Sequence, residues 1–181
     1  FSDFSYFFKT NNIYFLRGSN GSGKTTLLKL IKGIYLIDDG QINFEEQLNQ
    51  KNDVAYIDGN FRTFFHRLTV RQNLEYFFSL QNSIKNPQAI NELLSFFNIS
   101  SLEHKTFATL SQGQMQIVSI IRGFLSYSRV ILLDEAFSSL DKTHKKLVFD
   151  YLSNFILKEK SLVIFTSHEN NFNNMIFKEL C

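Results

Sequence analysis

The residues Gly18-Ser19-Asn20-Gly21-Ser22-Gly23-Lys24-Thr25 have the types and the spacing to hold phosphate. They fit the pattern GxxxxGK[ST], set after a predicted strand and opening a predicted helix, which is the context this pattern needs. Glycines let a backbone wrap with its N–H groups turned inward, and a helix N-terminus adds favourable partial charge. Lys24 is expected to reach the β- and γ-phosphates, Thr25 to ligate Mg²⁺, and Thr26 to adjoin the same nucleotide. A second constellation is Val130-Ile131-Leu132-Leu133-Asp134-Glu135, four apolar residues followed by two acids. It describes a buried strand whose C-terminal edge carries carboxylates, where ligands of open α/β sheets bind. Asp134 suits a metal, directly or through water, and Glu135 suits a general base for an attacking water. On its own this would equally describe a strand and an acidic turn; beside a phosphate loop it reads as chemistry.

Two weaker signals follow. Leu110-Ser111-Gln112-Gly113-Gln114 heads a helical stripe of Ile117, Ile120, Ile121, Phe124 and Leu125. Ser111 with Gln114 is a capping box, and the same serine and glycine offer donors to a phosphate. His168 follows an apolar strand, placed to bind a γ-phosphate or orient a catalytic water.

The elements that must position these groups alternate. Strands are predicted at Asn12–Arg17, Gln41–Glu45, Val54–Asp58, Val130–Asp134 and Leu162–Thr166, helices at Lys24–Ile34, Val70–Leu80, Gln88–Phe97, Gln112–Tyr127 and Thr143–Leu157. Thr69 with Gln72 forms a further capping box. The alternation predicts an α/β fold with a mainly parallel sheet. The strandless stretch from Phe61 to Tyr127 reads as a helical insertion.

Composition bounds the reading. The chain has 181 residues, 44% hydrophobic and 20% charged, with net charge +2. That describes one globular domain, and the charge is too mild to argue for nucleic acid. A single Cys at position 181 excludes an internal disulfide and a cysteine zinc site. No apolar run reaches the roughly 18 residues a membrane span needs, and no leader pattern suggests secretion. The chain opens on Phe1 rather than Met, as a fragment or processed chain would. Its 21 Phe, single Pro and absent Trp, with abundant Asn, Lys, Ile and Tyr, fit an AT-rich bacterial or organellar genome. Aromatics in so Phe-rich a chain are expected mainly in the core.

In order, these constellations resemble the nucleotide-binding subunit of ABC transporters over nearly the whole chain. Gly18–Thr25 resembles the Walker A loop, Leu110–Gln114 the LSGGQ signature, Val130–Glu135 the Walker B strand, Ser138-Ser139-Leu140-Asp141 the D-loop and His168 the switch histidine. The resemblance implies a P-loop NTPase (RecA-like) core, about residues 1–60 and 128–181, with an inserted α-helical subdomain at about 61–127. It implies ATP and Mg²⁺ as ligands and head-to-tail pairing with a second ATPase subunit. Ser111 and Gly113 would then serve the partner's nucleotide, and Asp141 would lie at the dimer interface. Integral membrane permease subunits would dock near Phe61, Phe64, Phe65, Tyr76, Phe77 and Phe78, placing the protein peripherally on a cytoplasmic or mitochondrial matrix face. The chain departs from the family pattern at Gln112, Ala136 and the Q-loop, where Asn60 is aligned with the family glutamine as a metal ligand. The family's first strand, with its adenine-stacking aromatic, has no equivalent by this alignment, since the spacing of Phe1, Phe4 and Tyr6 matches the strand that follows it. The short segment from Lys24 to Asn60 and Phe137 are similar to the haem exporter ATPase of cytochrome c maturation, implying haem-handling partners. The alternatives are the ATPase of another small transporter, or an ATP-binding regulatory subunit with little hydrolysis. His66, His104 and His144 are expected at the surface.

Overall fold

A computed structural model describes residues 4–44, 48–80, 86, 88–159, 161–168 and 178–180. The elements run β1 (Asn12–Leu16), α1 (Lys24–Lys32), α2 (Gln50–Asp53), β2 (Val54–Ile57), α3 (Val70–Ser79), α4 (Ala89–Phe96), α5 (Gln112–Phe124), β3 (Val130–Asp134), α6 (Lys142–Glu159), β4 (Leu162–Thr166) and β5 (Lys178–Leu180). One five-stranded sheet orders them β2-β3-β4-β1-β5. Every pairing in it is parallel. The fold is α/β, as the alternation predicts.

Strand periodicity sorts side chains onto two faces. Ile13, Phe15, Ile57, Ile131, Leu133, Val163 and Phe165 point into one core, shared with helices α3 to α6. Tyr14, Leu16, Val54, Leu132 and Ile164 point into the other, where Leu27, Leu28 and Ile31 of α1 cover them. A three-layer sandwich buries both sheet faces, so β3 and β4 are buried at every position. Many of the phenylalanines are core: Phe97, Phe107, Phe124, Phe137 and Phe165 are fully buried. Phe137 stacks on Phe149 with ring centroids 4.9 Å apart.

Helix ends follow local chemistry. α1 stops at Lys32, two residues earlier than its apolar pattern suggests, because Gly33 takes φ 76° and donates to Leu30 and Lys29 carbonyls. α3 and α5 open on the predicted capping boxes, with Thr69 and Ser111 at the caps. α5 ends at Phe124 rather than Tyr127, which has φ 52° in the turn that follows. Between β2 and β3 the described chain carries helices, turns and an isolated antiparallel bridge, Thr69 to Thr106, but no strand.

Two strand expectations change. Residues 41–44 form no strand among the described residues, and Glu45 lies outside them. Ile42 and Phe44 still turn inward against the α1-side core, as their alternation demands, but no neighbouring strand supplies a ladder. Conversely β5 pairs with β1, although Lys178–Leu180 carries too short a pattern to read. Phe1 also lies outside the described residues. Phe4 and Tyr6 are exposed, and Tyr6 meets Phe8 and Tyr14 edge-on.

Candidate active site

β1 runs directly into the phosphate loop, and Gly21 and Gly23 take φ 79° and 93°, which residues with a Cβ rarely adopt. Gly23 caps α1 without any side-chain bond, so the first N–H groups of the helix keep their capacity for an anion. The Lys24 ammonium donates to the carbonyls of Gly18 (2.7 Å) and Ser19 (3.0 Å). The lysine therefore arches over its own loop.

The sheet then brings distant residues to this loop. Register pairs Leu16 with Thr166 and Thr166 with Asp134, one row across β1, β4 and β3. Alternation puts Thr166 and Asp134 on the α1 face, and Tyr56 of β2 with them. Asp134 is 6% exposed and receives three side-chain hydrogen bonds. Its Oδ1 accepts from the hydroxyls of Thr25 (3.0 Å) and Thr166 (2.8 Å), and its Oδ2 from Tyr56 (2.7 Å). Burial and the adjacent carboxylate push the Tyr56 phenol well above its ordinary range, so it stays a donor. Glu135, in left-handed backbone at φ 53°, turns away from the row. Its Oε2 accepts from the His168 N–H (3.1 Å), and its Oε1 lies 3.4 Å from His168 Nε2.

Asn20, Gly21, Ser22, Gly23, Lys24, Thr25 and Thr26 thus share one cavity of about 270 Å³ with Glu135 and His168. Thr25 Oγ1 and the Asp134 carboxylate are hard oxygen donors within hydrogen-bond distance of each other. They fit Mg²⁺, which takes one or two protein oxygens and completes its shell with water and substrate phosphate. Asn60 is not brought there. Its Oδ1 accepts from the Arg62 N–H (3.1 Å) and caps a short 3₁₀ turn, while its own N–H donates to Asp58. An Asx turn satisfies the short amide locally, and reaching a metal at Thr25 would require breaking it.

A second cavity, of about 300 Å³, joins the signature and the D-loop: Ser111, Gly113, Gln114, Ser139, Asp141 and His144 line it. Ser111 Oγ accepts from the Gln114 N–H, which leaves its own proton to donate. A Cβ on Gly113 would stand 2.7 Å from the Ser139 carbonyl oxygen, so α5 can approach the D-loop only with glycine there. Asp141 accepts from the His144 backbone N–H (2.8 Å) and imidazole (2.9 Å), which hold its carboxyl below the ordinary range. His144 is consequently a half-buried partner of the D-loop rather than a plain surface residue. His66 and His104 are exposed.

Residues 1–138 match the family model described as ABC transporter. The chain belongs to the ABC transporter family. This ABC protein is 29% identical over 177 residues to "Cytochrome c biogenesis ATP-binding export protein CcmA" of Vibrio vulnificus, covering 95% of this chain and 86% of that one. It is 33% identical over 168 residues to "Sulfate/thiosulfate import ATP-binding protein CysA" of Gloeobacter violaceus, covering 87% of this chain and 48% of the relative. An ABC transporter ATP-binding protein from Pyrococcus furiosus superposes with TM-score 0.78 at 26% identity, over 96% of this chain and 86% of that one. The fold is also that of a dimeric ATP-binding cassette with ADP and Pi, at TM-score 0.77 and 19% identity over 92% and 78% of the two chains. The ABC subunit described here is accordingly an ATP-binding ATPase of P-loop architecture. Tyr56 and Thr166 are the site residues that sequence reading misses. Both look like ordinary strand positions, and only the register sets them against Asp134.

Proposed function

We propose that this ABC ATPase drives an integral membrane permease through ATP-dependent closure of a dimer. The observation that supports this best is the shared cavity of the phosphate loop with Glu135 and His168. Loop N–H groups and Lys24 bind the phosphates of ATP. Thr25 and Asp134 hold Mg²⁺, which when bound neutralises charge on the transferred phosphoryl group. Glu135 takes the proton of a water as its oxygen bonds to the γ-phosphorus and the bond to the β-phosphate bridge breaks. His168 orients the Glu135 carboxylate. Ser111 and Gly113 of each subunit face the nucleotide of the other, with Asp141 beside them.

Docking of the permease is best supported around Phe65 and Tyr76. Both are 44% exposed, with ring centroids 4.8 Å apart, whereas Phe64 and Phe78 are core. None of the described helices is long and apolar enough to cross a membrane, which suits a peripheral subunit on the cytoplasmic or mitochondrial matrix face. The transport role we favour is the haem exporter of cytochrome c maturation, with haem-handling factors as partners. Its support is the CcmA relative, matched over most of both chains. Phe137 adds nothing to it, being buried between Phe149 and Phe165.

Affinity purification from gently solubilised membranes, with mass spectrometry of the partners, tests the assignment. A small multi-span protein with cytochrome c maturation factors is the expected result. A sulfate-type permease would keep the ATPase and replace the cargo, and exclusively soluble partners would remove transport.

A further inference from the structure

Thr166 ends β4 and is fully buried, yet its hydroxyl is engaged on both sides by residues of the phosphate-loop cavity. Its O–H donates to Asp134 Oδ1 (2.8 Å), and its oxygen accepts from the backbone N–H of Glu135 (3.0 Å). Two residues further along, the His168 N–H donates to the Glu135 carboxylate. One hydroxyl thus ties together the metal-side carboxylate, the backbone of the neighbouring glutamate and the start of the histidine segment.

Glu135 needs such a tie. It leaves β3 at φ 53°, a left-handed conformation disfavoured for any residue with a Cβ. Such a conformation persists only where its surroundings over-determine it. The Glu135 N–H points back at Thr166 in that turn, and the carboxylate is thereby turned toward His168. Register pairing of Asp134 with Thr166 makes the arrangement possible, because the side chains sit adjacent on the α1 face.

We propose that Thr166 is a positioning residue for ATP hydrolysis, whose hydroxyl locks the Glu135 backbone in the left-handed turn that aims its carboxylate into the cavity. Valine would fill the same space and suit the strand equally well. It would leave Asp134 with its donors from Thr25 and Tyr56, but the Glu135 N–H would lose its acceptor. An unpaired amide drives the peptide to another orientation, and a displacement on the order of 1 Å at a reacting group costs about 10²-fold in rate.

The inference rests on Glu135 acting as the general base, so Glu135→Gln is measured beside Thr166→Val and Thr166→Ser. We expect Thr166→Val to lower kcat by roughly 10- to 100-fold. At saturating Mg²⁺, KM for ATP and the Kd for a fluorescent ATP analogue should stay within about twofold, as expected when only a transition-state interaction is lost. Thr166→Ser, which retains the hydroxyl, should recover most of the rate. An unchanged kcat in Thr166→Val, a parallel loss of nucleotide binding, or failure of Thr166→Ser to recover would overturn the proposal. If Glu135→Gln keeps the wild-type rate, the general-base reading falls first and separately. Should Thr166→Val fail to fold, hydrogen exchange on the unmodified protein decides. The Glu135 amide is expected to be protected, and exchange at the rate of an open amide would sink the tie.

Discussion

The two cavities are built on opposite plans. The phosphate-loop cavity is assembled from segments 32 to 109 residues apart, and side-chain hydrogen bonds cross between them: Thr25 to Asp134, Tyr56 to Asp134, Thr166 to Asp134. The signature cavity is assembled from two local caps, Ser111 with Gln114 and Asp141 with His144. They meet through the bare backbone approach of Gly113 to Ser139. The first holds acid, base and phosphate donors within one chain. The second holds donors and an acid committed to its own histidine, with nothing to hydrolyse. In the head-to-tail pair proposed above, the second cavity of each copy would be brought to the first cavity of the other.

Four substitutions break or sharpen that contrast. Glu135→Gln strikes the self-contained cavity and is expected to lower kcat by roughly 10²- to 10⁴-fold, the range of a lost general base. Nucleotide binding should survive, and both are read in one steady-state and binding series. Gly113→Ala strikes the signature cavity by forcing a Cβ against a carbonyl oxygen. Overpacking of this kind costs about 1–3 kcal/mol. A thermal melt should show that loss, and sedimentation should show a weaker ATP-induced dimer while the monomer still binds nucleotide.

Tyr56→Phe removes one donor to the Asp134 carboxylate. A bond to a charged group contributes about 1.5 kcal/mol at the lower end of its range. The urea midpoint should fall accordingly, and the Mg²⁺ concentration needed for half-maximal ATPase activity should change with it. Asp141→Ala, the mildest, removes a helix cap worth about 1 kcal/mol. Its pH dependence has a definite sign. The folded-state pKa of Asp141 is lowered, first by the backbone N–H of His144 and then by its imidazole. The charge-dependent stabilisation is therefore complete above the ordinary carboxylate range and fades as pH falls through the lowered value. The penalty of Asp141→Ala should shrink on that acid limb of a melting series, by a few tenths of a kcal/mol at this exposed position.

What could be read in advance was local. The capping boxes at Thr69 and Ser111 formed because their partners lie three residues away. The phosphate loop is legible for the same reason: Gly21, Gly23, Lys24 and Thr25 are contiguous, and their backbone preferences need no distant neighbour. β3 and β4 announced themselves as continuous apolar runs. Asn60 caps a local turn instead of lining the phosphate-loop cavity, because an amide next to a turn finds its nearest N–H first. Gln41–Glu45 misled because alternation specifies which side chains turn inward, not whether another strand lies alongside.

The sequence by itself therefore determined helices α1 and α3 to α6 to within a few residues at their ends, the capping boxes at Thr69 and Ser111, the phosphate loop, the acids at the end of β3 and the α/β class. Each depends on bonds or periodicities within a few residues. The tertiary structure alone decided that β4 lies between β1 and β3, and that the row Leu16, Thr166, Asp134 is in register. It also decided that Tyr56 and Thr166 face α1 beside Thr25, and that the signature abuts the D-loop. Parallel strands pair through long crossovers, and a shift of one residue would send every side chain to the opposite face. That alignment is fixed by burying two complete sheet faces at once, a condition no short stretch of sequence contains.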